Sequence, residues 1–307
     1  MLDRAPRSQE VLELNNSITA IPGIEVGHWT DPNAETGCTV ISVPEPNVAA
    51  VEVRGAAPGS RETSLLETGM RIEQIQAILL TGGSAFGLSA ADGVVSALVS
   101  DGRGHDTGVA RVPIVPAAVI FDLYPGDSTV RPGPDAGEAA YRARNSSAVE
   151  SGSIGAGTGA TVAKWRGFEH MAPGGIGNGL RTYGDLSVGS LVVTNGVGDV
   201  FTIDGESLTG GPSEPGPPQL VPPAQTNTTL VVVATNARLS RSELTRLCVR
   251  AHDAMATCIR PAHTRFDGDI AFAVSCGEVE ADVETAAEGA YGATAAAIED
   301  AIRSAAP

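Results

Sequence analysis

Aromatic residues are scarce. Phe, Trp and Tyr make up 4% of the 307 residues, although 42% of the chain is hydrophobic. A core of this composition is aliphatic, built from Ala, Val, Ile and Leu. Positive charge is scarce too. Twenty Lys and Arg face 36 Asp and Glu, a net charge of −16, and that balance argues against the basic footprint of a nucleic-acid-binding surface. It favours solubility without naming a partner. No apolar run is long enough to span a membrane. The segment 1–16 is polar and charged and lacks the apolar stretch of a signal peptide, so 1–17 reads as a disordered tail. The four cysteines, Cys38, Cys248, Cys258 and Cys276, are far apart, and without a secretory context they read as reduced thiols. These features predict a soluble, cytoplasmic protein, and the length allows one large domain or two.

Glycine is plentiful, with 37 residues, and it clusters in short stretches that read as tight turns or close backbone approaches. Strands are predicted over 18–27, 38–43 and 49–54, with Asp31-Pro32-Asn33 as the first turn. An apolar strand over 76–80 runs into Thr81-Gly82-Gly83-Ser84-Ala85-Phe86-Gly87 and then into a small-residue helix over 88–99. Strand, glycine turn and helix can cradle a phosphate. The spacing matches neither a P-loop nor a dinucleotide fingerprint, so a tight turn or a wall of amides beside a substrate fits better. The run 113–123 contains two prolines and reads as an edge or irregular strand. A short helix follows over 136–144. Gly152, Gly155, Gly157 and Gly159 come shortly before Lys164; they form either a flexible turn or a set of backbone N–H groups facing a ligand.

The segments 186–194 and 199–203 alternate as a hairpin turning near Asn195-Gly196. The Pro- and Gly-rich segment 205–226 reads as an exposed, mobile linker. Beyond it come a buried strand over 230–235, a helix from a Ser240/Glu243 capping box to about 259, a strand over 270–275 and an alanine-rich helix over 284–305. Strands crowd the region before 227 and a β-α-β-α run follows it. That is an α+β pattern rather than a regular doubly wound sheet.

Asn227-Thr228 stands between the linker and the buried strand. Read plainly, it ends a loop and starts a strand, positions that suit Asn and Thr. Read chemically, it is a bond the chain can cut by itself. The Thr228 hydroxyl attacks the Asn227 carbonyl, and the released Thr228 then carries a hydroxyl and a free α-amine, a nucleophile with its own base. A cut there frees a terminus without tearing a packed element. Asp267 and Asp269 lie two apart at a strand start, so extended backbone puts both carboxylates on one face. Like charge then raises one pKa, and the pair can hold an ammonium and a hydroxyl. The same residues can equally form an Asp-Gly-Asp surface turn or a weak cation site. Cys248, His252, Cys258 and His263 suggest zinc, but the CxxC-type spacing is missing, and cysteines on an apolar helix face are ordinary core. No metal and no cofactor are predicted. No Gly-x-Ser-x-Gly motif occurs.

Five stretches carry a resemblance together: Arg54-Gly55-Ala56-Ala57-Pro58-Gly59, Thr81-Gly82-Gly83-Ser84-Ala85-Phe86-Gly87, Pro113-Ile114-Val115-Pro116-Ala117, Asn227-Thr228-Thr229 and Asp267-Gly268-Asp269. As a set the chain resembles the self-processing β-aminopeptidase family, which includes L-aminopeptidase/D-amidases and nylon-oligomer hydrolases. The likeness runs from about residue 21 to the last strand. It implies a single domain over 18–307, an αββα four-layer sandwich of the N-terminal-nucleophile type. It implies a precursor cut into 1–227 and 228–307, and a homo-oligomer, with a tetramer favoured. The implied activity is amide hydrolysis in peptides, β-peptides or linear ω-amides such as 6-aminohexanoate oligomers.

The resemblance also implies roles. Thr228 matches the nylon-oligomer branch, where threonine follows asparagine; the peptidases use serine. Asp267 and Asp269 match that branch's Asp-x-Asp, where many peptidases have Ser-x-Glu. Lys164 and Asn195 fall where it keeps a lysine and an oxyanion asparagine. Phe121 aligns where members often carry a tyrosine, which removes a hydroxyl; with Gly82, Gly83 and Ser84 it is a substrate-pocket candidate. An acyltransferase of the ornithine acetyltransferase type uses a similar threonine, but its usual cut-site sequence is not found. An uncleaved, non-enzymatic binding protein is the other alternative.

Overall fold

The computed structural model describes residues 15–124, 126–219 and 227–305. Residues 1–14 of the tail predicted over 1–17 and the linker residues 220–226 lie outside them, whereas Ser17 is buried and donates to Asn15 Oδ1 at 2.6 Å, so it is not part of a disordered tail. The main elements are β1 (Glu25–Asp31), β2 (Thr36–Ser42), β3 (Val48–Val53), β4 (Ser60–Arg61), β5 (Ala77–Thr81), α1 (Ala90–Ser100), β6 (Ala117–Val119), α2 (Pro134–Arg142), β7 (Gly175–Tyr183), β8 (Leu186–Asn195), β9 (Thr228–Ala237), α3 (Arg241–Cys258), β10 (Ile270–Val279) and α4 (Val283–Ala305). One sheet runs β1-β2-β5-β6-β4 and the other β7-β8-β9-β10-β3.

The sheets stack face to face. Ile41, Ile78 and Leu80 of the first share one buried aliphatic layer with Leu191, Val193, Leu230, Val232 and Phe272 of the second. On the outer face of the first sheet, Cys38, Val40 and Leu79 pack with Val94, Leu98, Ala140 and Tyr141 of α1 and α2. On the outer face of the second, Val192, Val231 and Val233 pack with Leu244, Leu247, Met255 and Ile298 of α3 and α4. This is the αββα sandwich. It also explains the unbroken apolar run of β9, which is buried on both faces and so has no polar side to show.

The glycines of β7 and the alanines of α4 are two sides of one contact. A Cβ on Gly177 would sit 1.9 Å from the Ala297 carbonyl oxygen, and one on Gly179 2.1 Å from that of Ala293. Helix and sheet meet backbone to backbone there.

Three further expectations are corrected. Over 18–27, Ile18–Ala20 is a 3-10 turn and extended structure begins only at Glu25. Ile18, Ile21 and Ile24 are fully buried, and their spacing of three suits a turn rather than a strand. The run 113–123 yields a strand of three residues that lies inside its sheet, between β5 and β4. Both prolines precede the paired residues, and Pro116 still accepts a hydrogen bond from Leu79 N–H at 2.9 Å. The hairpin at Asn195-Gly196 does not form. β8 pairs with β7 and β9, while Asp199–Val200 pairs with Ile259–Arg260. Asn195 is the last residue of β8, and its strand neighbour is the much later Thr228. In the predicted linker, Gly216 accepts from Trp165 Nε1 at 2.7 Å and Gln219 N–H donates to the Trp165 carbonyl at 3.0 Å.

Candidate active site

The crossover through α3 makes β9 and β10 parallel neighbours, while β8 lies antiparallel on the other side of β9. Parallel strands need such a long connection, and here it brings three distant segments to one end of the sheet. Asn195 lies opposite Thr228. Asp267 bridges Asn227 just ahead of β10. Thr228, Asn227, Asp267, Asp269, Lys164 and Asn195 are all 5% exposed or less.

The contacts around the Asn227–Thr228 peptide bond are close. The Thr228 hydroxyl donates to the Asn227 carbonyl oxygen at 2.5 Å. The Gly268 N–H donates to the same oxygen at 3.1 Å. Gly268 has no alternative there. A Cβ on it would lie 2.8 Å from Thr228 Oγ1 and 2.7 Å from the Ala57 carbonyl oxygen.

Both aspartates are buried, so Asp267-Gly268-Asp269 is not a surface turn. Asp267 Oδ2 accepts from Thr264 N–H at 2.9 Å and from its hydroxyl at 2.6 Å, and Oδ1 from Val197 N–H at 3.3 Å. Asp269 Oδ1 accepts from Thr229 N–H at 2.6 Å. Its Oδ2 accepts from the His263 backbone at 3.0 Å and from Nδ1 at 2.7 Å. Burial and the nearby Asp269 charge push the Asp267 carboxyl up to about 6, within reach of neutral-pH proton transfer. The Arg54–Gly59 stretch finds its reason here. Arg54 and Gly55 donate to the Asp269 carbonyl, and Ala57 to that of Asp267, holding the loop that carries both acids.

Lys164 is the single lysine of the chain, and it is buried. Its Nζ donates to the carbonyl and hydroxyl oxygens of Thr161, both at 2.9 Å. Burial pulls its pKa down to about 7, against the opposing charge of Asp267. Thr161 N–H also donates to Asn195 Oδ1 at 2.9 Å. That bond fixes which way the amide faces, and Asn195 Nδ2 lies 3.5 Å from the Phe121 carbonyl.

A cavity of about 190 Å³ opens beside Thr228, lined in part by Ala57, Pro58, Ser84, Phe121 and Phe266. Ser84 and Phe121 therefore face it. The neighbouring amides do not form a phosphate cradle. Gly82 donates to the Gly37 carbonyl at 2.8 Å, Gly83 to Asp122 Oδ1 at 2.6 Å and Ser84 to the Ile120 carbonyl at 3.0 Å. Cys248 and Cys258 sit in the core under α3, away from any shared site with His263, which faces Asp269.

Sequence reasoning missed Gly268, Thr161, Asp122 and the role of His263. Two signals were available. Gly268 is the residue between the paired acids, and Thr161 stands three before the only lysine, at the end of the glycine cluster.

Comparison with known proteins decides the family. Residues 16–306 match the model of peptidase family S58. The chain belongs to peptidase family S58. It is thus a hydrolase of peptide or amide bonds, and the match includes every residue of the site just described. Among its relatives, an uncharacterised aminopeptidase of Mycobacterium leprae is 41% identical, with 87% of this chain and 80% of the relative covered. A 6-aminohexanoate-oligomer endohydrolase of Paenarthrobacter ureafaciens is 32% identical, with 84% and 74% covered. In fold the chain is similar to a Burkholderia β-aminopeptidase, at a TM-score of 0.71 and 23% identity over 95% of this chain and 86% of that one. It is similar also to the L-aminopeptidase D-Ala-esterase/amidase of Ochrobactrum anthropi, described as a variant of the Ntn-hydrolase fold, at a TM-score of 0.72 and 21% identity over 95% and 86%. No helix among the described residues is long and apolar enough to cross a membrane.

Proposed function

We propose that this S58 chain cuts itself between Asn227 and Thr228 and then hydrolyses amides through an acyl-enzyme on Thr228. The observation that carries the reading is the geometry at the Asn227 carbonyl. The Thr228 hydroxyl and the Gly268 N–H both contact the Asn227 carbonyl, inside a buried site that holds two acids and the only lysine.

In the self-cut, Thr228 Oγ1 adds to the Asn227 carbonyl carbon and its proton passes to the departing nitrogen. The C–N bond breaks and an ester remains. Water then hydrolyses that ester, leaving a carboxylate on Asn227 and a free α-amine on Thr228. An α-amine has a pKa of about 7.7–8.0, so near neutral pH a useful fraction is unprotonated and can take the hydroxyl proton. The Gly268 N–H and Asn195 Nδ2 stabilise the oxyanion; one such donor is typically worth about 3–4 kcal/mol. Asp267 and Asp269 orient the start of β9, and Lys164 tunes the charge of the pair.

The cut leaves subunits of 1–227 and 228–307, held together because β9 is a central strand. The oligomer is a homotetramer. The substrates are peptides or linear ω-amide oligomers, in line with what the chain's relatives are named for, and Phe121 makes the cavity wall apolar where a tyrosine would offer a hydroxyl. The test is to mix the purified protein with a slowly deacylating peptide amide or 6-aminohexanoate oligomer, quench in acid and measure fragment masses. The reading predicts an acyl adduct on Thr228 of the short fragment and free amine product. Hydrolysis with an adduct on another residue overturns it.

A further inference from the structure

His263 lies outside the cavity, yet it is bound directly to one of the two acids. It belongs to the loop that leads into Asp267 and has φ +55°, a left-handed conformation uncommon for a residue other than glycine. That backbone sends both its N–H and its ring towards Asp269. Nδ1 sits 2.7 Å from Asp269 Oδ2, and Nε2 lies 3.4 Å from the His252 carbonyl oxygen. A carboxylate and a carbonyl only accept, so both ring nitrogens donate, and an imidazole that donates from both nitrogens is protonated. The second histidine takes the opposite state. His252, from α3, stacks edge-on at 4.8 Å. Its Nε2 donates to the Glu52 carbonyl at 3.0 Å, and its buried Nδ1 has no partner. Two imidazoles this close resist double protonation, and the one beside the carboxylate holds the charge.

We infer that His263 is a positioning residue: as an imidazolium it clamps Asp269 Oδ2, and so holds Oδ1 on the Thr229 N–H and the nucleophile strand in register. The role rests on the proposed use of Thr228. Burial lowers the His263 pKa, but the hydrogen bond and charge of Asp269 outweigh it and leave the ring above its ordinary value. Burial holds His252 down at about 4. The charged or titratable groups that act on the ring are Asp269 and Asp267 from its own loop and His252 from α3; Arg54, after β3, acts on His252, and Lys164 interacts with Asp267.

The clamp is tested in two ways. In the Thr228→Ala chain, which needs no activity, the His263 ring signal is followed by NMR against pH; five histidines make assignment practical. His263 should titrate above a free histidine, and Asp269→Asn should move it down by at least about one unit. Titration at or below the free value, or no response to Asp269→Asn, overturns the clamp. In already-cut enzyme, His263→Gln keeps a donor without the charge and His263→Leu keeps neither. Both should lower kcat at least about tenfold with KM nearly unchanged, Leu more than Gln, and His263→Gln should move the acid limb of activity to higher pH, because a cation near the carboxylates is lost. Parent kcat in His263→Gln, or a loss equal at every pH, overturns it. A parent chain that neither cuts nor hydrolyses overturns the Thr228 reading instead, and the NMR arm still decides the clamp.

Discussion

Replacing Gly268 by alanine tests the self-cleavage geometry with one methyl group. The added Cβ would stand 2.8 Å from Thr228 Oγ1, 2.7 Å from the Ala57 carbonyl oxygen and 3.2 Å from Pro58 Cα, where ordinary contact begins at 3.4 Å. The Ala57 and Pro58 atoms are backbone and yield little, so the hydroxyl moves by about half an ångström or the acid-bearing loop shifts by as much. A misplacement of about 1 Å costs on the order of 10²-fold in rate, so the self-cut should slow by roughly 10- to 100-fold, about 1.4–2.7 kcal/mol in barrier. Overpacking should also cost about 1–3 kcal/mol of stability. The assay follows conversion of freshly made precursor to fragments on a denaturing gel, beside a melting curve. Gly133→Ala is the control for cutting, since nothing lies within 4 Å of its Cβ position, and it should leave the cutting rate at the parent value. A Gly268→Ala chain that folds and cuts at the parent rate refutes the geometry argued for Thr228.

Thr228→Ala should abolish both self-cleavage and hydrolysis, and Thr228→Ser should retain both; hydrolysis at the parent rate by the alanine variant means another nucleophile. Asp267→Asn and Asp269→Asn should each lower turnover of already-cut enzyme at least tenfold, about 1.4 kcal/mol, with near-parent turnover in both returning the pair to a structural role. Asp267 also sets a pH dependence of stability. Its carboxyl is raised from an unfolded value near 4 to about 6, so the folded state binds more protons than the unfolded one between those values. That contribution is present in full below about pH 4 and is lost as pH rises through 6. The stability of Asp267→Asn relative to the parent should therefore improve as pH rises from 4 to 7; a flat difference in chemical unfolding across that range contradicts the shift.

Much of the layer architecture was legible because it rests on burial. The run at 230–235, the Ser240/Glu243 capping box and the alanine-rich final helix each state their element locally, and α3 does start with the box. What was illegible is pairing between distant segments. Asn195-Gly196 carries a strong local hairpin signal, but Asn195 is instead held in β8 by its partner β9. The glycines of β7 carry no local message until α4 lies against them. At the site, Thr228 and the two acids declared themselves through residue type. Gly268 and Thr161 did not, because one acts through a backbone N–H and the space its missing side chain leaves, and the other by tying Lys164 to Asn195. His263 reads from sequence only as a metal-ligand candidate, because its carboxylate partner Asp269 reaches it only through the fold of the loop.

The most direct measurement is the intact mass of the purified protein, with sequencing of any short fragment. The account predicts two fragments of 227 and 80 residues out of 307, whose masses sum to the precursor plus one water. They should co-purify under native conditions, and the short one should begin Thr-Thr-Leu-Val. A single chain of 31.2 kDa that persists through long incubation, or a short fragment that begins at Thr229, contradicts it.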